Sequence, residues 1–238
     1  MGAHRFSGRD GVELAWNEIG AGRTLILLPG FGGVGSLMIE YGPARVLTQH
    51  GYRVVVPDSR GSGDSARPDD ATGYPPDVLA DDGFALVEHL GLRDGDFDLG
   101  GYSLGARIVV RMLARGAKPG RAIVAGQGLA KVSGPQGGGS SRRMVTSGAF
   151  ARDGANPEAL FHVLDSLVPT TEDALRAITV PTLVAIGDRD ERTDADQLAA
   201  LLPKARFVRV PGDHGSALAA PELAAAITEF LAGPTQPE

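Results

Sequence analysis

Phe97-Asp98-Leu99-Gly100-Gly101-Tyr102-Ser103-Leu104-Gly105-Ala106-Arg107 decides how this chain folds, because it reads as a short apolar strand, a glycine-flanked serine and the start of a helix. Its centre, Gly101 to Gly105, is a G-x-S-x-G string. With 34 glycines in 238 residues the string arises by chance in about one such chain in four, so the context carries the weight. A strand passing straight into a helix forces the serine onto a sharp bend. Such a bend brings backbone close to the positions two before and two after it, where a Cβ would clash. The helix opening at Leu104 then turns its unpaired amides and positive dipole end toward Ser103, which favours negative charge there. The bland alternative is a serine helix cap flanked by packing glycines. The strand before and the helix after count against it.

The same alternation extends outward in both directions. Thr24 to Leu28, Arg53 to Val56, Ala122 to Ala125, Thr182 to Ile186 and Arg206 to Val210 are brief, largely apolar runs closed by Gly, Pro or Asp, as buried strands of a parallel sheet are. Helical spacing fills Ser36 to His50, Val78 to Leu90, Leu104 to Ala114, Asp194 to Leu202 and Ala217 to Leu231. At the start of the chain, Asp10-Gly11 is a turn signal between Arg5-Phe6 and the run Val12 to Ile19, which predicts a hairpin. The expected class is α/β: a doubly wound, mostly parallel sheet with an antiparallel N-terminal hairpin, helices on both faces, and a site at the carboxyl ends of the strands. One stretch breaks the rhythm. Residues 128–179 hold no strand-like run, only a Gly/Ser/Arg tract from Gly134 to Arg143 and two short helical segments, Pro157 to Leu167 and Thr171 to Ile178. The expected organisation is therefore a core domain of residues 1–127 and 180–238 carrying a small helical cap, 128–179, whose aromatics are Phe150 and Phe161.

Composition narrows the function classes. Hydrophobic residues make up 42% and charged residues 22%, with mean hydropathy near zero, so the chain can bury a substantial core. A net charge of -6 without long basic runs offers no nucleic-acid surface. No run approaches the ~20 apolar residues needed to span a bilayer, and Met1 to Glu18 has no secretory apolar region, so a cytoplasmic protein without membrane partners is expected. The absence of cysteine removes disulfides, thiolate metal sites and cysteine nucleophiles.

A serine nucleophile needs a base. Of the five histidines, His4 falls in the hairpin, His50 at a helix end, His89 in a helix and His162 in the insertion. His214, in Pro211-Gly212-Asp213-His214-Gly215, follows a late strand and so stands at the strand-carboxyl edge. It is the expected base, with His162 left as a cap residue able to touch substrate.

Taken together, Gly101 to Gly105, Leu27-Leu28-Pro29-Gly30-Phe31-Gly32 and Asp58-Ser59-Arg60-Gly61-Ser62-Gly63-Asp64-Ser65 resemble, in this order, the elbow, the H-G-x turn and the D-x-R-G-x-G-x-S loop of the α/β-hydrolases. Pro29 stands where the family usually has His. The resemblance covers essentially the whole chain and points to the small serine esterase, enol-lactonase and cofactor-free haloperoxidase-like branch. It implies the order nucleophile, acid, histidine, with the acid three residues after Gly187, at Asp190; Asp188 is the alternative. It also implies an oxyanion hole from the amides of Leu104 and Phe31.

Two other patterns are weighed and set aside. Gly61-Ser62-Gly63-Asp64-Ser65-Ala66 fits a dinucleotide fingerprint, but Arg67-Pro68 and Pro75-Pro76 bar the helix it needs. Asp188, Asp190 and Asp194 suggest a calcium loop, but Arg192 and Thr193 occupy positions needing an oxygen ligand and a glycine. No cofactor and no metal are expected. The expected activity is hydrolysis of a small or medium carboxylic ester through an acyl-enzyme. Lactone or enol-lactone hydrolysis and perhydrolysis by the same residues remain open. A lyase or C–C hydrolase, and a non-catalytic binding protein on this fold, are the rivals from other classes.

Overall fold

The computed structural model describes residues 3–134, 139–148 and 156–233. Eight strands form one sheet: β1 (His4–Ser7), β2 (Glu13–Gly20), β3 (Arg23–Leu28), β4 (Tyr52–Pro57), β5 (Phe97–Tyr102), β6 (Ala122–Ala125), β7 (Thr182–Gly187) and β8 (Ala205–Val210). Their spatial order is β1-β2-β4-β3-β5-β6-β7-β8, antiparallel where β2 meets β1 and β4 and parallel from β4 to β8. This is the doubly wound sheet with an antiparallel N-terminal hairpin that the sequence pattern predicts.

Alternation along the central strands explains why both faces are covered. Ile26 and Leu28 of β3, Leu99 of β5 and Val124 of β6 point to one face. There they pack beneath α3 (Val78–His89) and α4 (Leu104–Ala114). Leu25 and Leu27 of β3, with Val54, Val56 and Ile123, point to the other face, beneath α1 (Gly35–Tyr41) and α2 (Ala44–Thr48). A strand that is apolar on both sides has nowhere to sit except between helix layers.

The expected single helix from Ser36 to His50 is two helices. Gly42 takes an extended conformation (ψ -170°) and donates its amide to Met38 O at 3.0 Å, closing α1, and Pro43 then precedes α2. Proline disfavours helical backbone at the residue before it, which is why the break falls there.

Between β6 and β7 the described residues form no strand but four short helices: α5 (Leu129–Ser133), α6 (Gly139–Thr146), α7 (Pro157–Asp165) and α8 (Glu172–Arg176). The first two are absent from the sequence reading: α6 overlaps the Gly/Ser/Arg tract from Gly134 to Arg143, and α5 comes just before it. α5 is a single turn, and α6 draws on Arg142, Arg143, Met144 and Val145, whose helical preference outlasts the run of glycines before them. Phe150 lies outside the described residues. After β7 come α9 (Ala195–Leu201) and, beyond β8 and a 3-10 turn at Ser216–Ala219, α10 (Pro221–Ala232).

One buried ionic cluster ties the hairpin to the helix layer. The Arg60 guanidinium, fully buried, donates to Asp82 Oδ2 from Nε (2.9 Å) and to Asp82 Oδ1 from Nη2 (2.7 Å). It also reaches Asp10 Oδ2 from Nη1 (2.5 Å). Among the described residues no helix is long and apolar enough to cross a membrane.

Candidate active site

β5 ends at Tyr102 and α4 starts at Leu104, so Ser103 alone makes the bend, at φ 54° and ψ -115°. This is backbone that non-glycine residues avoid, and its strain is held by the packing around it. A Cβ on Gly101 would stand 2.5 Å from Gly105 O and 2.6 Å from Ala106 N; one on Gly105 would stand 2.5 Å from Leu28 C. The glycines at both positions are therefore required by the closeness of α4 to its own entry strand and to β3. Ser103 occupies the helix N-cap position, yet its side chain makes no capping bond.

The hydroxyl goes elsewhere. Ser103 Oγ lies 2.9 Å from His214 Nε2, and His214 Nδ1 lies 2.8 Å from Asp190 Oδ2. The three side chains leave loops at the same carboxyl edge, after β5, β7 and β8, which is why residues 111 apart in the chain meet. Of the two carboxylates considered for this place, Asp190 faces the imidazole, whereas Asp188 Oδ1 accepts from Gly212 N at 2.9 Å and steadies the loop carrying the histidine.

Asp190 is held from three directions. Burial pushes its carboxyl up, but the hydrogen bond to His214 and the Arg192 amide (3.0 Å) outweigh it, leaving the group below the usual carboxylate value, with the Arg192 guanidinium also at 3.1 Å. A carboxylate kept ionised there fixes the tautomer: Nδ1–H donates to Asp190, leaving Nε2 bare toward Ser103.

Three neighbours of this line are not legible in the pattern. Tyr102 Oη donates to His214 O at 2.6 Å, and the two rings lie 5.5 Å apart. Gln127, buried after β6, donates Nε2 to Ser103 O at 3.0 Å and so braces the bend. Arg192 pins Asp190. Each sits next to a recognisable residue in space, but only Tyr102 is next to one in sequence.

Leu104 opens α4, so its amide has no intrahelical acceptor. Phe31 sits in the turn Pro29–Gly33, which Gly33 N closes on Gly30 O at 2.9 Å. Asp58 supports this turn from behind by accepting from Gly35 N at 2.6 Å. A cavity of about 370 Å3 opens beside Ser103 and His214, lined among others by Phe31, Met38, Tyr41 and Leu218 and by Ser141 and Met144 of α6. His162 stacks instead on Tyr74, with ring centres 5.5 Å apart. Among the described residues no group of three or more His, Asp or Glu is arranged to hold a metal ion.

Comparison with known proteins agrees with this architecture. The alpha/beta hydrolase fold family matches residues 23–127. AB hydrolase superfamily protein YisY of Bacillus subtilis is 36% identical over 47% of this chain, a match that spans only 40% of that protein. A non-heme haloperoxidase of Rhodococcus erythropolis is 28% identical over 87% of this chain and 90% of its own length. Among solved structures, a bromoperoxidase from Bacillus anthracis superposes with TM-score 0.80 at 21% identity, covering 98% of this chain and all of that one. An esterase from Thermogutta terrifontis gives TM-score 0.76 at 24% identity, covering 97% and 98%.

Proposed function

We propose that this chain, which belongs to the α/β-hydrolase superfamily, is a serine hydrolase that cleaves small or medium carboxylic esters through an acyl-enzyme, with Ser103 as nucleophile, His214 as base and Asp190 as its orienting acid. The observation that carries this reading is the hydrogen-bonded line from Ser103 Oγ through His214 to Asp190.

In the reading, the ester enters the cavity beside Ser103 and its carbonyl carbon is attacked by Oγ as the hydroxyl proton passes to His214 Nε2. The imidazolium so formed is stabilised by Asp190. Charge on the tetrahedral oxygen is met by the amides of Leu104 and Phe31, at the positive end of α4, each worth a few kcal/mol of barrier. His214 then returns the proton to the departing alkoxide, and water repeats the sequence on the acyl-enzyme. The segment 128–179 acts as a small cap, a role supported by Ser141 and Met144 on the cavity wall. Tyr102 and Gln127 are positioning residues, one for the imidazole and one for the bend.

The likeness to a non-heme haloperoxidase over most of both chains favours one second reading. Hydrogen peroxide would replace water against the acyl-enzyme, releasing a peracid and free Ser103. Burst and steady-state hydrolysis of p-nitrophenyl butyrate by the protein and by Ser103→Ala tests the primary reading. Turnover that disappears in the folded variant supports it; equal turnover in both removes Ser103 from the chemistry. Peracid formed from acetate and peroxide at rates rivalling ester hydrolysis would favour the second.

A further inference from the structure

Two arginines already described have carboxylate partners: Arg60 lies between Asp10 and Asp82, and Arg192 on Asp190. Arg107 does not. It sits one helical turn beyond Ser103, its amide donating to Ser103 O at 3.2 Å, so its side chain leaves α4 on the same face as the serine. The residue is only 9% exposed, and its Nε and Nη2 are buried with no hydrogen-bond partner among the described residues. Burial pulls the guanidinium down to about 10, which still leaves it charged at neutral pH. A buried charge without a partner is costly, and groups held in that condition cluster at binding sites.

Arg107 faces a second, smaller cavity of about 60 Å3, space for a few water-sized groups. Ser103 and Leu104 line it, as do Lys131, a further cation, and Arg192, whose charge is already shared with Asp190. Among the described residues no aspartate or glutamate lines it. Ser103 thus stands between a large apolar cavity and a small cationic one. Resting on the hydrolase reading above, we infer that the substrate carries a carboxylate in its acyl part, seated on Arg107 beside Lys131 a short chain from the scissile carbonyl, as in a half-ester or a carboxylated lactone. A guanidinium presents paired N–H donors that match a carboxylate, so the unpartnered nitrogens of Arg107 gain the acceptors the protein does not supply.

Calorimetric titration of Ser103→Ala with monomethyl glutarate and with uncharged methyl pentanoate tests this without turnover. The half-ester binds at least tenfold more tightly, Arg107→Met in the same background abolishes the preference, and Arg107→Lys, which keeps the charge, retains part of it. Equal affinities, no heat from the half-ester, or a preference that survives Arg107→Met overturns the inference. The protein with Ser103 intact is then compared on mono-p-nitrophenyl glutarate and p-nitrophenyl hexanoate. Selective binding of the half-ester with turnover of neither aryl ester would leave the carboxylate site standing and remove the hydrolase reading alone.

Discussion

Gly105→Ala sets two effects of opposite sign against each other. Gly105 lies inside α4 at ordinary helical φ, so alanine there gains about 1 kcal/mol of helix propensity. Against that, the new methyl would press hardest on Leu28 O and would stand 2.5 Å from Leu28 C and 2.6 Å from Pro29 O, where ordinary contact begins at 3.4 Å, a shortfall of at least 0.8 Å. All three contacted atoms are backbone, Leu28 in a strand hydrogen-bonded to β5, so none can rotate aside. Overpacking of this kind costs about 3 kcal/mol, leaving a net loss of about 2 kcal/mol. In a chain of this length the melting temperature falls by about 6 °C. The only relief is for the first turn of α4 to withdraw from Pro29, which moves Leu104 and Ser103 relative to Phe31 by nearly the same distance. A displacement of about 1 Å at reacting atoms costs about a hundredfold in rate. The assay is a thermal melt together with kcat on p-nitrophenyl acetate at a temperature where the variant is folded. A variant as stable as the parent or more so, with kcat within a few fold, would refute the argument that close approach of α4 to β3 fixes the bend.

Other substitutions test other parts of the site and the fold. Asp190→Asn keeps the shape but loses the tautomer control, and kcat drops by about 10³ to 10⁴ while KM changes little. Because the Asp190 carboxyl is held below its ordinary value, its contribution to stability is present above the unfolded value of 3.8 and is lost as pH falls through the lower folded value. Chemical denaturation of the protein and Asp190→Asn should show a stability gap that does not narrow between pH 7 and pH 5; narrowing in that window contradicts the assignment. Asp82→Ala leaves the buried Arg60 with the half-exposed Asp10 and the Gly73 carbonyl as its described partners, and denaturation should report a loss of about 3 kcal/mol or more. Gln127→Leu removes a donor to Ser103 O and should lower kcat more than it raises KM; an unchanged kcat would show that the bend needs no such brace.

The strands, the hairpin and most helices follow from patterns a few residues long, because strands buried on both faces and helices with one apolar side leave a local signature. Ser103 and His214 were legible for the same reason, each flanked by glycines at the end of a strand. The break at Gly42–Pro43 was visible in principle, since a proline follows a glycine inside an apparent helix, but the continuing apolar spacing of Ala44 and Leu47 masked it. The helix α6 was hidden by the glycines around it. Gln127 and Arg107 could not be read at all: a glutamine among small residues and an arginine in an amphipathic helix look ordinary. What distinguishes them is burial against one particular atom or one particular void, and that is a property of the assembled sheet.

The placing of the three side chains on loops after β5, β7 and β8 has a kinetic consequence. β8 lies at the edge of the sheet, paired on one side only, and its Arg206 and Arg209 are exposed. It carries His214, while Ser103 sits beside central strands. Edge elements open at lower free energy than the middle of a sheet. Partial opening that frees β8 and α10 would withdraw the imidazole and leave the serine in place, so catalysis should fail on warming several degrees before the bulk of the chain melts. During synthesis the same geometry works in reverse: His214 is made 111 residues after Ser103 and can reach it only once β8 has docked.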